Sequence, residues 1–327
     1  MDQISPNSEA IILLTSYFNK GDMPLTVTEY SKFAQWLFEN KNEPYQLMGQ
    51  NSSQILSEWS DPKISYQRIE NLLNRGNAMA ISLEKWGNAG IWIMTRADID
   101  YPQILKDKLK QKAPPILYGS GNKKILNTTA IAVIGSRDAN EQDLDFTFKL
   151  GMKIANSGYS VVSGGAKGID EYSMQGSIEA GGTTIGVLAD SLLQKSLSKK
   201  YREAIINNNL VLISPFYPDA KFSVGNAMGR NKYIYTLGKA SIVVHSGLSG
   251  GTWEGAKESL KNKWGSLFVK YNDDKKSGNS DLLNMGGLLL DSNILSFSTL
   301  DSLLQESVSI SKKSNISLLD FEDNDRN

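Results

Sequence analysis

The fold of this chain is decided by residues 130–170, which read AIAVIGSRDANEQDLDFTFKLGMKIANSGYSVVSGGAKGID. Two short runs rich in valine and isoleucine, at 130–134 and 159–163, enclose a longer segment whose apolar side chains recur at helical spacing. Strands buried on both faces show such continuous apolar runs, and a glycine after the middle segment, Gly158, is typical of a helix end. The stretch therefore predicts a strand–helix–strand unit, the building block of a parallel sheet.

The same rhythm continues toward residue 270. The further apolar runs are TTIGVL (183–188), LVLIS (210–214), ASIVVH (240–245) and SLFVK (266–270). Segments of helical character separate them, and right-handed crossovers join such strands in parallel. We therefore predict an α/β fold with a doubly wound, mainly parallel sheet. Because ligands of such sheets bind outside the carboxyl ends of the strands, the loops that follow the strands are the candidate functional loops.

The residues before this sheet predict a small helical region. Ser8, Thr28 and Ser65 are residue types that cap helices, and apolar side chains at helical spacing follow each of them. A further helix at 76–86 and a short strand at 91–94 lead toward the sheet. The expected domains are an N-terminal helical domain at 1–75, the α/β domain at 76–295, and a short helix with an acidic tail at 296–327.

Composition excludes several kinds of site. The chain of 327 residues is 40% apolar and 21% charged, as is ordinary for a globular protein. It has no cysteine and one histidine, His245, which excludes disulfides, thiol nucleophiles and multi-histidine metal sites. Neither an apolar run of about 18 residues nor a basic segment leading into an apolar one is present. We therefore expect a cytoplasmic protein without a membrane span, a metal ion or a cofactor.

Positive charge is concentrated in one part of a chain whose formal net charge is zero. Between residues 221 and 270 the acids are Glu254 and Glu258, and the basic residues are Lys221, Arg230, Lys232, Lys239, Lys257, Lys261, Lys263 and Lys270. A basic stretch inside a folded domain can attract phosphates. On charge alone, an ordinary solvated surface is the favoured interpretation.

The loop after the first strand is Gly135-Ser136-Arg137. It lacks the GxGxxG fingerprint of dinucleotide-binding domains. Gly135 allows a tight turn, after which Arg137 could hold a phosphate through two parallel hydrogen bonds. The alternative is an ion pair between Arg137 and a nearby acid such as Asp138 or Asp143.

A glycine-rich turn after the second strand opens a helix. The candidate phosphate-binding residues of this turn are Ser163, Gly164, Gly165, Lys167 and Gly168. Backbone N–H groups, the helix N-terminus and the lysine charge would together hold an anion, although tight packing is the alternative reason for the glycines. We interpret Asp170 as mainly structural, because a carboxylate in the first helical turn is stabilised by the helix dipole.

Basic and aromatic side chains alternate in the segment 222–235, FSVGNAMGRNKYIY. The candidate binding residues here are Arg230, Asn231 and Lys232, interleaved with Phe222, Tyr233 and Tyr235. Single-stranded nucleic acids suit such a pattern, because phosphates meet the charges and bases stack on the rings. The alternative is that at least one of the two tyrosines is a buried helix residue.

A second glycine-rich turn follows the fifth strand, in SGLSGGTWE (246–254). Gly250, Gly251 and Thr252 are candidate anion-binding residues at a helix start. We interpret His245 as a hydrogen-bonded structural residue, and Glu254 is the carboxylate placed to act on a ligand. Two anion-binding turns at one sheet edge favour a binding site there more strongly than either turn alone.

Several segments resemble, in the same order, motifs of the DNA-processing protein A (DprA/Smf) family. They are DYPQILKDKLKQKAPPILYGSGN (100–122), IAVIGSR (131–137), SGGAKGID (163–170) and GRNKYIYTLGKASIVVHS (229–246). The resemblance covers roughly residues 75–270 and implies an extended Rossmann-like fold, a homodimer and single-stranded DNA held in a positive groove. It also implies help in loading a RecA-type recombinase during DNA uptake, without turnover. Carried over, the groove would include Arg137, Lys167 and Arg230, with Lys232 as a further candidate.

Two other functions are compatible with the same loops. The turn GGTWE (250–254) is similar to the GGxGTxxE turn of lonely-guy (LOG) proteins, which hydrolyse the N-glycosidic bond of nucleoside monophosphates. Glu254 would then be the catalytic residue, but here one residue separates it from Thr252 where that motif has two. The other alternative is a sensor that binds a nucleotide without turnover. We expect single-stranded DNA binding rather than either alternative, and no enzyme activity.

Overall fold

The structure is a computed structural model that describes residues 4–274, 276–298 and 300–301. The helices are α1 Pro6–Thr15, α2 Val27–Glu39, α3 Ser52–Ser57, α4 Tyr66–Leu73, α5 Gly76–Asn88, α6 Gln103–Leu109, α7 Glu141–Asn156, α8 Ile169–Glu179, α9 Leu192–Ser196, α10 Lys199–Ile206, α11 Val224–Leu237, α12 Gly251–Asn262 and α13 Asn279–Asn284. The strands are β1 Ile91–Thr95, β2 Ile116–Gly121, β3 Ala130–Ile134, β4 Ser160–Ser163, β5 Thr184–Val187, β6 Leu210–Ser214, β7 Ala240–Val243, β8 Ser266–Val269 and β9 Leu288–Leu289. No helix in the described part of the chain is long and apolar enough to cross a membrane.

The chain forms two compact units. The first unit comprises the residues up to Asn127 together with Leu188–Ala227, and the second comprises Thr128–Val187 together with the residues from Met228 onward. These units differ from the domains expected from the sequence, because the helical region before residue 75 shares its unit with β1, β2 and β6. The short helix and acidic tail expected after residue 296 lie largely outside the described residues.

The second unit contains a six-stranded parallel sheet in the order β5-β4-β3-β7-β8-β9. Counted along the chain within this unit, the order is 3-2-1-4-5-6, which is the doubly wound order of Rossmann-type folds. The prediction of a doubly wound parallel sheet is thereby confirmed. Strand order reverses between β3 and β7, where Ile134 pairs with Val243, and ligands of such folds bind at this reversal.

The first unit has a three-stranded antiparallel arrangement, β1-β2-β6. In it, Ile91 lies opposite Ser120, and Tyr118 lies opposite Ser214. The run at 210–214 is a strand, as predicted, but within this unit it pairs antiparallel with β2. The βαβ rhythm did not predict this partner, because a continuous apolar run indicates burial of a strand and not the strand beside it.

Two of the three predicted helix caps are displaced along the chain. Helix α1 is capped by Ser5, whose hydroxyl accepts a hydrogen bond from the N–H of Ser8, and α2 is capped by Thr26 in a capping box with Glu29. The predictions of Ser8 and Thr28 as caps are therefore wrong, since in both cases a second hydroxyl residue precedes the helix. Ser65 caps α4 as predicted.

Each unit has its own apolar core. The core of the second unit contains Ile131, Val133, Leu150, Ile154, Val161, Ile169, Ala240, Ile242, Val244, Phe268, Leu290, Ile294 and Leu300. The core of the first unit contains Ile11, Leu14, Leu25, Tyr30, Phe33, Leu37, Leu47, Leu56, Trp59, Ile64, Ile69 and Leu72. In the second unit, buried strand residues alternate between the two faces of the sheet, which leaves the polar loop residues at the strand ends.

Candidate nucleic-acid interface

The loops after β3, β4 and β7 join into one surface at the carboxyl edge of the parallel sheet. The N–H of Ser136 donates a hydrogen bond to the carbonyl of His245 at 2.9 Å, which connects the loops after β3 and β7. A Cβ atom added to Gly168 would lie 2.6 Å from the carbonyl oxygen of Ser136 and 3.0 Å from the Cα of Arg137. The loops after β3 and β4 are therefore in backbone contact, and Gly168, with φ +89°, makes that contact possible.

Arg137 and Lys167 are exposed on these two adjoining loops. The other predicted residues that are exposed or partly exposed are Gly135, Ser136, Gly165, Lys232, Gly250, Gly251 and Thr252. Helices α8 and α12 start directly after Gly168 and Gly250, residues that have no side chain with which to cap a helix. In α8 the N–H groups of Ile169 and Glu171 already donate to the carbonyls of Ser136 and Ala166. The first N–H groups of α12, with the positive end of its helix dipole, favour an anion at this edge.

The remaining predicted residues are buried beneath the surface. They are Ser163, Gly164, Gly168, Arg230 and Asn231. The Ser163 hydroxyl donates a hydrogen bond to the carbonyl of Val133 at 2.6 Å, so it connects β4 to β3. The predicted set therefore divides into residues that form the surface and residues that support it.

Arg230 faces a carboxylate instead of solvent. Its side chain is 5% exposed, and its Nη1 lies 3.9 Å from Oδ2 of Asp170, whose side chain is 7% exposed. A Cβ atom on Gly164 would lie 1.5 Å from that Nη1 and 2.5 Å from the same Oδ2. Gly164 is thus needed for the close approach of this ion pair. The expectation that Arg230 meets a phosphate directly does not match its burial.

The carboxylate of Asp170 takes part of the role predicted for a phosphate. Burial raises the pKa of Asp170, whereas the Arg230 guanidinium and the N–H groups of Gly135, Gly164 and Ala166 act to lower it. The positive potential of this part of the glycine-rich turn is therefore directed at a side chain of the protein itself. The interpretation of Asp170 as a structural residue agrees with this arrangement.

Asn231 supports the other glycine-rich turn. Its Nδ2 donates a hydrogen bond to the carbonyl of Gly251 at 2.8 Å, and the hydroxyl of Tyr235 donates to the carbonyl of Thr252 at 3.2 Å. Arg230 and Asn231 are neighbours on α11, yet one contacts the turn after β4 and the other the turn after β7. Helix α11 therefore contacts both glycine-rich turns and connects them.

The aromatic residues of α11 do not form a stacking surface. Tyr233 is 3% exposed and Tyr235 is 1% exposed, so both are buried helix residues. The alternative, that at least one of these tyrosines is a buried helix residue, is confirmed for both, and neither ring is exposed for a base to stack on. Phe222, which is 52% exposed, belongs to the first unit. The Nζ of Lys232 lies 5.0 Å from the ring centroid of Tyr233, in a cation–π contact.

A buried asparagine that sequence reasoning missed fixes the start of the loop after β7. Asn279 Nδ2 donates hydrogen bonds to the carbonyls of Val244 and Lys270 at 2.9 Å and 2.8 Å, and its Oδ1 accepts one from the N–H of Ser246 at 2.8 Å. The sequence offered only an asparagine at the start of a short helix, a common position for that residue type. Nothing in that pattern indicates contacts with Ser246 and Val244, which lie 33 and 35 positions earlier.

His245 belongs to a polar cluster at the same edge. Its Nδ1 lies 3.0 Å from Asn272 Nδ2 and 3.3 Å from Asp143 Oδ2, while Lys270 Nζ lies 2.9 Å from Asp143 Oδ1. Burial would raise the pKa of Asp143, but hydrogen bonds from His245 and Lys270 outweigh it and hold that pKa below its ordinary value. The hydrogen-bonded role expected of His245 agrees with these contacts.

Glu254, the alternative catalytic residue, lies on the first turn of α12. Its side chain is 48% exposed, and its carboxylate is 3.3 Å from Lys257 Nζ on the same helix. This is the arrangement of a solvated helix surface. Among residues 4–274, 276–298 and 300–301, no group of three or more histidine, aspartate or glutamate side chains is arranged to hold a metal ion.

Comparison with known proteins gives one family and several relatives. A family model described as DNA recombination-mediator protein A matches residues 92–296. Protein Smf of Synechocystis sp. is 28% identical over 159 residues, which is 47% of this chain and 39% of that protein. DNA processing protein DprA of Streptococcus pneumoniae is 30% identical over 142 residues, which is 43% of this chain and 50% of that protein. The chain thus spans half or less of the length of these two relatives.

Two solved structures resemble this fold. The X-ray structure of DNA processing protein A from Streptococcus pneumoniae matches with a TM-score of 0.69 at 21% identity, covering 90% of this chain and 97% of that one. The DNA processing protein A of Helicobacter pylori, described for its unique single-stranded DNA binding mode, matches with a TM-score of 0.56 at 26% identity. That match covers 67% of this chain and 99% of the other.

Proposed function

The chain belongs to the DNA recombination-mediator protein A family, and we propose that it binds single-stranded DNA at the carboxyl edge of the sheet in the second unit. One observation carries the proposal: the backbone contact of Gly168 with Ser136 and Arg137 unites two loops, each of which exposes a cation, Arg137 and Lys167. A relative from Helicobacter pylori is described for the same binding activity, which supports the proposal.

Binding at this edge would act mainly through the phosphates. Arg137 would hold a phosphate through its planar guanidinium, and Lys167 would supply a second positive charge one loop away. The start of α12, which no side chain caps, adds N–H donors and partial positive charge. Because phosphates are common to every sequence, we expect binding that is independent of sequence and sensitive to salt.

The buried residues would contribute indirectly. Arg230 and Asn231 position the two glycine-rich turns from α11, and Asp170 takes up the positive charge of Arg230. Substitutions at these positions are expected to weaken DNA binding by displacing the turns. Substitutions at Arg137 and Lys167 are expected to weaken it by removing phosphate contacts, with the fold intact.

The test is a titration of the purified chain with fluorescent single-stranded and duplex oligonucleotides at several salt concentrations, with AMP as competitor. We expect single strands to bind more tightly and the logarithm of affinity to fall linearly with the logarithm of salt, by about 0.7 per phosphate contact. Tight AMP binding with weak DNA binding would contradict the proposal. It would instead favour a nucleotide sensor, or a hydrolase in which Glu254→Gln abolishes release of the free base.

The family resemblance also leads us to propose a homodimer that acts beside a RecA-type recombinase in DNA uptake or recombination, without turnover of its own. The matching family name, DNA recombination-mediator protein A, supports that direction. Light scattering after size-exclusion chromatography tests the dimer, and a monomer at all concentrations would exclude it. Strand exchange by a RecA-type recombinase, with and without the chain, tests the partnership.

A further inference from the structure

The first unit contains a cavity of about 790 Å³ that is separate from the sheet edge described above. Its lining includes aromatic, aliphatic and basic side chains: Tyr17, Phe18, Lys20, Ile81, Lys85 and Tyr217. Cavities of several hundred Å³ lined by rings and a few polar groups are the usual form of small-molecule sites. The size is sufficient for a nucleotide.

An open aromatic face borders this cavity. The rings of Tyr17 and Tyr217 lie 5.5 Å apart at an angle of 43°, and Tyr17 is 47% exposed. Ile81, which also lines the cavity, is 69% exposed. Single exposed apolar side chains are ordinary, but two beside one cavity indicate a surface that a ligand covers. A flat ring is the ligand shape that fits against a tyrosine face.

The loop that carries Tyr17 and Phe18 is braced by charged residues. Asp22 Oδ2 accepts hydrogen bonds from the N–H groups of Phe18 and Asn19 at 2.9 Å and 3.0 Å, and lies 2.6 Å from Arg75 Nη1. The Arg75 guanidinium also covers the Phe18 ring, 4.8 Å from its centroid. Because the loop is held before a ligand arrives, little ordering cost opposes binding.

The charges of the lining favour an anion. Asp219 binds Lys85 Nζ at 2.9 Å and accepts a hydrogen bond from Trp86 Nε1 at 3.2 Å. The charged residues of the lining are Lys20, Lys85 and Asp219, so the lining carries a net charge of +1. An apolar molecule would not need that charge, whereas a phosphate-bearing aromatic ligand matches both the ring pair and the lysine.

We propose that this cavity binds a nucleotide, with the base against Tyr17 and Tyr217 and the phosphate toward Lys20. The shared chemistry is a flat heteroaromatic ring joined to an anion. Its source is either a free nucleotide or an unpaired base of a single strand. The site is independent of the proposed function, since it lies in the first unit and a free nucleotide can fill it.

Photocrosslinking of the full chain tests the site and separates the two sources. One arm uses 5-iodo-deoxyuridine monophosphate, and the other uses a single-stranded oligonucleotide that carries 5-iodouracil. Labelled peptides are identified by mass spectrometry. We expect label on Tyr217, reduced about five-fold or more in Tyr17→Ala and retained in Tyr17→Phe, which keeps the ring. Label with the mononucleotide alone indicates that the cavity binds a free nucleotide. Label with the oligonucleotide alone indicates that the cavity contacts a base of a single strand.

Phe38→Ala is the matched control, because Phe38 is an aromatic residue of the same unit that is 78% exposed and does not line the cavity. It should leave labelling at Tyr17 and Tyr217 unchanged. Label confined to other residues in both arms, or Tyr217 labelling unaffected by Tyr17→Ala, would overturn the inference. If the oligonucleotide still labels the loops after β3 and β4 in that case, the proposed function holds although the cavity inference fails. Circular dichroism checks that each variant is folded.

Discussion

Gly164 lies between the buried side chains of Arg230 and Asp170, where a Cβ atom would come within 1.5 Å of Arg230 Nη1. Neither the guanidinium nor the carboxylate can retreat without leaving its partner buried and unneutralised, which is costly. Sequence reasoning assigned this glycine to a phosphate cradle, with tight packing as the alternative. At the level of this residue, packing accounts for the glycine, and the phosphate-binding role remains a prediction for the exposed neighbours.

We expect Gly164→Ala to lower the free energy of unfolding by about 1–3 kcal/mol, as overpacking of a buried site does. The same change at Gly229, on α11, meets no atom within 4 Å in the described structure. Gly229→Ala should therefore be neutral or stabilise by up to about 1 kcal/mol through helix propensity. Urea denaturation measures both variants, and equal stability of Gly164→Ala and the unchanged chain would disprove the packing role.

Helix α11 shows what sequence patterns reveal about an element and what they do not. The apolar runs predicted all six strands from β3 to β8, because continuous valine and isoleucine runs report burial directly. The burial of Arg230 could not be predicted, since its partner Asp170 lies 60 positions earlier and charged residues are usually exposed. The burial of Tyr233 and Tyr235 was open, because helical spacing does not tell which side faces the core.

Because α11 holds the turn before α12 through Asn231, a substitution at Asn231 should lower both stability and DNA binding. In Asn231→Asp, a carboxylate oxygen replaces the Nδ2 that donates to the Gly251 carbonyl, so attraction becomes repulsion. We expect a loss of about 1–3 kcal/mol in stability and weaker single-strand binding, because the turn that starts α12 is displaced.

Asn262→Asp is the matched control for this change. Asn262 Nδ2 donates to the Glu258 carbonyl at 2.8 Å, but at an exposed position near the end of α12. Its substitution should cost less than about 1 kcal/mol and leave DNA binding unchanged. Chemical denaturation and fluorescence anisotropy are the two measurements. If both aspartate variants bind DNA like the unchanged chain, α11 does not position the turn.

At the scale of the whole molecule, the two units are assembled from segments that are separated along the chain. The first unit draws on the residues up to Asn127 and on Leu188–Ala227. Composition along the chain predicts contiguous domains with a boundary near residue 75, whereas these two units are discontinuous in sequence. The parallel sheet of the second unit was predictable, because each βαβ crossover is local in sequence and has a fixed hand.

The proposed DNA-binding surface lies at one edge of the sheet in the second unit. The exposed cations Arg137 and Lys167 follow strands and therefore lie at the carboxyl edge, whereas the exposed Lys239 precedes β7 and lies at the opposite edge. The formal net charge of zero gives no attraction for DNA by itself. In our proposal, DNA binding therefore depends on the cations at the carboxyl edge.

The most direct test compares Lys167→Ala with Lys239→Ala, two identical changes at opposite edges of one sheet. Single-strand affinity is measured for each variant and for the unchanged chain across a series of salt concentrations. We predict that Lys167→Ala binds more weakly and that its salt slope is shallower by about 0.7, the loss of one phosphate contact, while Lys239→Ala leaves both unchanged. Equal effects of the two changes, or no effect of Lys167→Ala, would contradict the assignment of the carboxyl edge as the binding surface.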